Sequence, residues 1–402
     1  MSRLSQSIDM TGIKLSQRIH KVQDSIIPLI NQLVLKHPGT ISLGQGVAYY
    51  GPPRETYDEI NKHLASSKLD LYGPVEGIPE LLESISAKLA KRNSITVNSK
   101  NRIFVTAGSN MAFSSLIPVI ADPGDEIILL TPYYFNHDMA VKLADAVPVL
   151  VPTSENYHPD IEKIKSAITD KTRAVVTISP NNPSAAVYTR EELTEINQLC
   201  ARHGIFHISD EAYEDFVYDS HSHFSAASLP GSEAHTISLY SLSKAYGFAG
   251  WRVGYMVIPE HIFTSVKKVQ DTILISPPII SQYAALGALS TPYSYIQEKI
   301  EPIKQSRSIC LDALNSSNIL QAPATSEGAF YIFARLKTQH DDFELAKELV
   351  KQHGIATIPG DAFAATNGTH LRISYGALVG ESIKTGINKL ITGCESFTHL
   401  LS

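Results

Sequence analysis

Between residues 241 and 254 the chain reads Ser241-Leu242-Ser243-Lys244-Ala245-Tyr246-Gly247-Phe248-Ala249-Gly250-Trp251-Arg252-Val253-Gly254. Two hydroxyls, an ammonium and a guanidinium fall within twelve residues, separated by glycines that let the backbone turn tightly. Ser241 and Ser243 beside Arg252 form a donor set for a phosphate, because a guanidinium presents a planar fork to phosphate oxygens. Lys244, in apolar and basic surroundings, has its pKa depressed and becomes an amine nucleophile toward an aldehyde. Ser-Leu-Ser-Lys alone is equally well a solvated loop; Arg252 and the glycines favour the site.

Three further segments supply complementary groups. Asp210-Glu211-Ala212-Tyr213 closes an apolar run with a carboxylate, costly to bury unless a cation or protonated base meets it. A pyridinium nitrogen is such a partner, and holding it protonated makes the ring an electron sink. Tyr213 offers a hydrogen bond to a ring phenolate oxygen. Asn182, in Ser179-Pro180-Asn181-Asn182-Pro183, offers its amide to the same oxygen. A helix N-cap for Asp210 and a rigid turn around Asn182 are the structural alternatives. Gly108-Ser109-Asn110 opens a helical stretch, where free N–H groups and the dipole attract an anion. Together these groups describe one ligand, a phosphorylated hydroxypyridine aldehyde.

The elements that must position them belong to a sizeable globular chain. Its 402 residues are 43% hydrophobic and 18% charged, which excludes disorder. A net charge of −6 with interspersed signs argues against a nucleic-acid partner. No apolar run reaches membrane-spanning length. The patch from Ile26 to Leu35, broken by Pro28, Asn31 and Gln32, reads as an amphipathic helix and not as a leader. Cys200, Cys310 and Cys394 are far apart, so neither a disulfide framework nor a metal site is expected, and a cytoplasmic location is.

Short apolar runs predict strands at Arg102–Thr106, Glu126–Leu130, Ala146–Val151, Ala174–Ile178, Ile205–Ser209, Thr236–Tyr240 and Val253–Val257. Helical patterns lie between them at Glu80–Lys91, Met111–Ile120 and Arg190–His203, the last behind a Thr189 start signal. The alternation predicts an α/β fold, a mostly parallel sheet with helices on both faces. In such sheets ligands bind beyond the carboxyl ends of the strands. From about Ile296 a long charged helix, a β-like run Ala329–Ala334 and a helix Asp342–His353 predict a smaller α+β domain. The expected division is an N-terminal segment 1–44 joining the small domain, a large domain 45–295 and a small C-terminal domain 296–402.

On these residues the chain, from Leu15 to about Tyr375, resembles the fold-type I pyridoxal-phosphate-dependent aminotransferases of class I/II, which include aspartate, aromatic and kynurenine enzymes. The resemblance implies the aspartate aminotransferase-like fold, pyridoxal 5′-phosphate as cofactor, and transfer of an amino group from an L-amino acid to a 2-oxo acid. It implies that Lys244 condenses with the cofactor aldehyde and later moves the proton from the substrate Cα. Arg252, Ser241, Ser243, Gly108, Ser109 and Asn110 correspond to the phosphate-binding positions. Asp210 corresponds to the partner of the pyridine nitrogen, Tyr213 and Asn182 to donors on the ring oxygen, and Tyr134 to the stacking aromatic. Gly46, in Leu43-Gly44-Gln45-Gly46, and Arg372, in Gly368-Thr369-His370-Leu371-Arg372, correspond to positions around the substrate carboxylate. Tyr72 corresponds to a tyrosine reaching the other subunit's phosphate, which implies a homodimer with shared sites.

The chain departs from the family pattern at informative places. Ser184-Ala185 follows Asn182-Pro183 where Thr-Gly is usual. Asn110 stands where one aspartate-using subgroup keeps a lysine, and the stretch 271–276 lacks the arginine of another. A buried distal carboxylate without a cation costs several kcal/mol, so a neutral or aromatic donor is expected over aspartate. Tyr49, Tyr50, Tyr133 and Tyr134 are expected to enrich the pocket mouth in aromatic surface; packing of Tyr49 and Tyr50 between domains is the plainer alternative. Lys267, Lys268 and Arg18 are the other cations within conceivable reach. A carbon–sulfur β-lyase shares every cofactor residue. A regulatory module on the same scaffold is disfavoured by the net charge.

Overall fold

The computed structural model describes residues 14–323 and 326–399. Residues 1–13 of the expected N-terminal segment and 400–402 of the expected C-terminal one lie outside the described residues. The first strand, β1 (Ile41–Ser42), is short. Seven more follow: β2 (Asn101–Thr106), β3 (Glu126–Thr131), β4 (Val147–Pro152), β5 (Thr172–Ile178), β6 (Phe206–Asp210), β7 (Thr236–Ser241) and β8 (Gly254–Pro259). They make one sheet in the order β2-β8-β7-β6-β5-β3-β4. Neighbours pair in parallel except around β8, which runs antiparallel to both β2 and β7.

The sheet is covered on both faces, as its continuous apolar runs require. Ile127, Leu129, Val176 and Leu239 pack with the helices Ser109–Ile120 and Phe135–Leu143. Ile128, Leu130 and Val175 pack with the helix Arg190–His203. Each large side chain buried this way contributes about 1.5–3 kcal/mol against the entropy of ordering the chain. Thr189 caps Arg190–His203 in a reciprocal arrangement: its hydroxyl accepts from Glu192 N–H and the Glu192 carboxylate accepts from Thr189 N–H.

A second layer is formed by β9 (Leu320–Gln321), β10 (Tyr331–Leu336), β11 (Ile355–Ala356), β12 (Ile358–Pro359) and β13 (His370–Ser374). Four of these form an antiparallel sheet in the order β12-β13-β10-β9, while β11 pairs in parallel with β1. The helix Tyr293–Asn315 leads into this layer and the helix Asp342–His353 packs on it. The helix Ile26–Lys36 buries Ile26 and Ile30 in the cluster that holds Phe333 and Phe363. No helix among the described residues is long and apolar enough to cross a membrane.

Candidate active site

Because β8 is antiparallel, its first residue lies at the same edge of the sheet as the last residues of β2, β3, β5, β6 and β7. That edge carries Gly108 to Asn110 after β2, Tyr134 after β3, Asn182 after β5 and Asp210 at the end of β6. Ser241 ends β7, Ser243 and Lys244 follow it, and Arg252 precedes β8. A cavity of about 100 Å³ opens there. Ser109, Asn110, Tyr134, Asn182 and Asp210 line one part; Tyr213, Ser241, Ser243, Lys244 and Arg252 line the rest. Ten of the residues singled out in the sequence thus converge on one space.

Lys244 Nζ donates to the carbonyl of Gly46 at 2.6 Å. Burial pushes its pKa down to about 8, helped by the positive charges of Arg372 and Arg252 and opposed by Asp210. Arg252 itself has a left-handed backbone, φ 55°, and its guanidinium donates to the carbonyls of Ala249 (3.0 Å) and Ala107 (3.3 Å). A Cβ at Gly108 would lie 2.5 Å from Arg252 Nη2, and Gly108 has φ +85°. Glycine there is what lets the guanidinium lie against the start of the helix Ser109–Ile120.

No helix begins at Asp210. Its Oδ1 accepts from Ala212 N–H at 3.1 Å, and its Oδ2 lies 3.1 Å from His137 Nε2. A carboxylate only accepts, so the imidazole proton is assigned to Nε2. His137 is stacked on Phe113 at 3.9 Å and keeps its buried Nδ1 without a hydrogen-bond partner. Sequence reasoning missed His137. Its spacing of three from Tyr134 in the helix Phe135–Leu143 was the available signal.

Asn182 Oδ1 accepts from Arg372 Nη1 at 2.9 Å, which leaves its amide N–H₂ for another acceptor. Arg372 Nη2 donates to the carbonyl of Gly44 at 2.7 Å, while the buried Nε has no partner. The Tyr213 hydroxyl lies 2.6 Å from that of Tyr331, a second residue the sequence reading did not single out. Burial, reinforced by Tyr331, holds the Tyr213 phenol well above its ordinary pKa, so it stays protonated as a donor. Burial likewise pushes Tyr134 up to about 12.

These groups fit a phosphorylated pyridine aldehyde. The cavity offers an arginine and serine hydroxyls at a helix start, a carboxylate braced by imidazole, phenol and amide donors, and an amine of lowered pKa. The unpartnered Nε of buried Arg372 shows that a further acceptor is wanted beside Asn182 and Gly44.

Some expected residues lie elsewhere. Tyr72 is 85% exposed, on a loop outside the cavity. Tyr133 is buried in the core and not at a mouth, because it packs with Phe135 and Leu129. Tyr50 donates to the carbonyls of Lys244 (3.4 Å) and Ala245 (3.1 Å), a packing role. Of the alternative cations, Arg18 meets Asp145 and Lys267 meets Glu76. The fold also gathers Glu211, Glu214 and His223, whose ligating atoms lie within 4.8 Å of one another. Within this group His223 Nε2 pairs with Glu211 Oε2, and Glu214 pairs with Lys88 and Asn93, while the buried Glu211 Oε1 and His223 Nδ1 have no hydrogen-bond partner.

Comparison with known proteins agrees with this geometry. The profile of the family described as aminotransferase class I and II matches residues 38–390. An aromatic aminotransferase of Arabidopsis thaliana is 31% identical over 96% of this chain and 97% of its own length. A probable aspartate/prephenate aminotransferase of Thermus aquaticus is 33% identical over 93% and 98%. Among solved structures, Thermus thermophilus aspartate aminotransferase with maleate superposes with a TM-score of 0.87 at 31% identity, covering 95% of this chain and 100% of that one. The aromatic aminotransferase of Pyrococcus horikoshii gives a TM-score of 0.84 at 32% identity over 92% and 99%. The chain belongs to the class I and II aminotransferases. It is therefore a pyridoxal-phosphate-dependent transaminase, moving an amino group between an amino acid and a 2-oxo acid.

Proposed function

We propose that the cavity at the sheet edge holds pyridoxal 5′-phosphate and that the donor is a neutral or aromatic L-amino acid. The observation that carries the first part is Lys244, a lysine of lowered pKa in a cavity shared with Asp210 and Arg252. Arg252, Ser241, Ser243 and the N–H groups at Ser109 and Asn110 take the phosphate, Tyr134 stacks on the ring, and Asp210 holds the ring nitrogen protonated. Tyr213 and Asn182 donate to the ring oxygen. When bound, the cofactor supplies the aldehyde that takes the amino group and the ring that accepts the Cα electrons. With a pKa of about 8, Lys244 Nζ is free amine often enough at neutral pH to take the Cα proton and return it. Arg372, anchored on Asn182 and Gly44, clamps the substrate carboxylate near Gly46.

The preference for the donor is supported by what the site lacks. Asn110 is uncharged, the stretch 272–276 carries no cation, and Arg18 and Lys267 are engaged with Asp145 and Glu76. Relatives named for aspartate and for aromatic amino acids are about equally similar to this chain, so the residues and not the names decide. Tyr72 is read as reaching the phosphate of a second copy, which makes the enzyme a homodimer; its exposure supports this. A cytoplasmic location is supported by three cysteines that are all free and buried. The units 1–44, 45–295 and 296–402 remain the proposed domain division.

Purified protein is expected to absorb in the visible, and Lys244→Ala to lose both that band and amino transfer; a Lys244→Ala variant that still transaminates sinks the assignment. Twenty amino acids assayed against 2-oxoglutarate and pyruvate decide the donor. A kcat/KM for aspartate tenfold above those for Phe, Tyr, Leu and Met would overturn the preference.

A further inference from the structure

Tyr331 has none of the roles assigned so far, yet it touches three residues that do. Its hydroxyl lies 2.6 Å from that of Tyr213. Its ring lies against the Arg372 guanidinium, with Cζ 4.5 Å from the ring centroid. A Cβ at Gly46 would stand only 2.2 Å from its hydroxyl oxygen, and Gly46 is the residue whose carbonyl accepts from Lys244. The side chain is 1% exposed. A buried phenol in such a position is committed to its neighbours.

Two hydroxyls in contact share one of their two hydrogens. When Tyr213 turns its hydrogen toward the ring oxygen of the cofactor, the hydrogen in the Tyr213–Tyr331 contact must be the one on Tyr331. We propose that Tyr331 is the positioning residue of this site: it donates to Tyr213, aims the Tyr213 hydrogen at the cofactor ring oxygen and strengthens it as a donor. The proposal rests on the reading of Tyr213 given above. A hydroxyl that accepts one hydrogen bond polarises and donates a stronger one. The charged and titratable groups facing the pair are Lys244 beside the Tyr213 ring, Arg372 from β13 and Tyr134 from the turn after β3. Tyr331→Phe leaves all three in place, so a change in the variant reports the lost hydroxyl.

The consequence is readable in the absorbance of the lysine-bound cofactor. The proton on the nitrogen joining Lys244 to the cofactor sits beside the ring oxygen, and it is held more tightly when other donors satisfy that oxygen less. Tyr331→Phe is therefore expected to raise the pH midpoint of the visible absorbance change by about 0.3–1 unit, roughly a two- to tenfold gain in proton affinity. Tyr213→Phe raises it further, and adding Tyr331→Phe to Tyr213→Phe changes nothing more. In the single Tyr331→Phe variant kcat falls, while KM stays within about twofold. Gly46→Ala, which displaces the Tyr331 hydroxyl from the other side, shifts the midpoint in the same direction and carries the test should Tyr331→Phe not fold. A wild-type midpoint in Tyr331→Phe, or an equal shift in the Tyr213→Phe background, overturns the relay. A wild-type midpoint in Tyr213→Phe shows instead that the assignment of Tyr213 was wrong, and the relay falls with it.

Discussion

Replacing Arg372 by lysine keeps the charge and removes the fork. The guanidinium has five N–H groups. One on Nη1 goes to Asn182 at 2.9 Å and one on Nη2 to Gly44 at 2.7 Å, leaving Nε–H and one hydrogen on each Nη for a substrate carboxylate. A lysine ammonium has three hydrogens on a single atom. If it serves Asn182 and Gly44, one remains, and the planar pairing with two carboxylate oxygens is gone. Losing one charge-assisted hydrogen bond and leaving its buried acceptors less satisfied costs about 3–4 kcal/mol, roughly 10²–10³-fold in kcat/KM. The assay is steady-state kinetics with the preferred donor, alongside titration of the visible band with a monocarboxylate inhibitor. The band itself should survive, because Arg372 does not line the cofactor cavity. A kcat/KM within threefold of wild type for every donor would refute the reasoning.

Gly108→Ala places a methyl 2.5 Å from Arg252 Nη2 at φ +85°. It is expected to cost about 1–3 kcal/mol of strain and to speed cofactor loss, measured by the band remaining after gel filtration. His158, between Glu192 at 2.9 Å and Glu327 at 3.3 Å, has its pKa raised to about 10, chiefly by Glu192. A raised folded-state pKa means its stabilisation is fully present below the unfolded value of about 6.5 and is lost as pH rises through about 10. His158→Gln is therefore expected to lower stability by about 2 kcal/mol at pH 6 and by little at pH 10, read from urea midpoints at the two pH values. Tyr72→Phe is expected to weaken cofactor retention, and mixing it with Lys244→Ala chains to give non-additive activity; a fully active monomer in sedimentation contradicts the shared site.

All seven strands of the large sheet were legible in the sequence, within two residues at each end. β3 and β5 read as apolar runs because they are buried on both faces, whereas the edge strand β4 reads as one although Val147 and Leu150 are exposed. The second layer was mostly silent. β9, β11 and β12 are two residues long, too short for any period, and the apolar face of β13 is only Leu371 and Ile373, set between His370, Arg372 and Ser374. β10 begins at Tyr331 and not at Ala329, because Ala329 sits at φ 52°, outside the extended region. The predicted helix Glu80–Lys91 stops at Lys88 and passes into a wider turn that ends at left-handed Ser94. At the site, residues next to a strand end were found from chain-local spacing. His137 and Tyr331 were not, since each meets its partner across the fold, 73 and 118 residues away.

The pairing of β1 with β11 joins Ile41 to Ile355, positions 314 residues apart. A ribosome adding roughly 5–20 residues per second delivers the second strand about 16–60 s after the first. Through that interval Ile41 to Leu43 have no strand to pair with, whereas the seven-stranded sheet has all its members once Pro259 is made, 96 residues before Ile355. The residues lining the cavity at the sheet edge are therefore all in place in the chain long before Arg372 has been made. Vectorial synthesis thus delivers every residue that lines the cavity, Ser109 to Arg252, before Arg372, so a nascent chain stalled between 260 and 350 holds the proposed cofactor groups without the proposed substrate clamp.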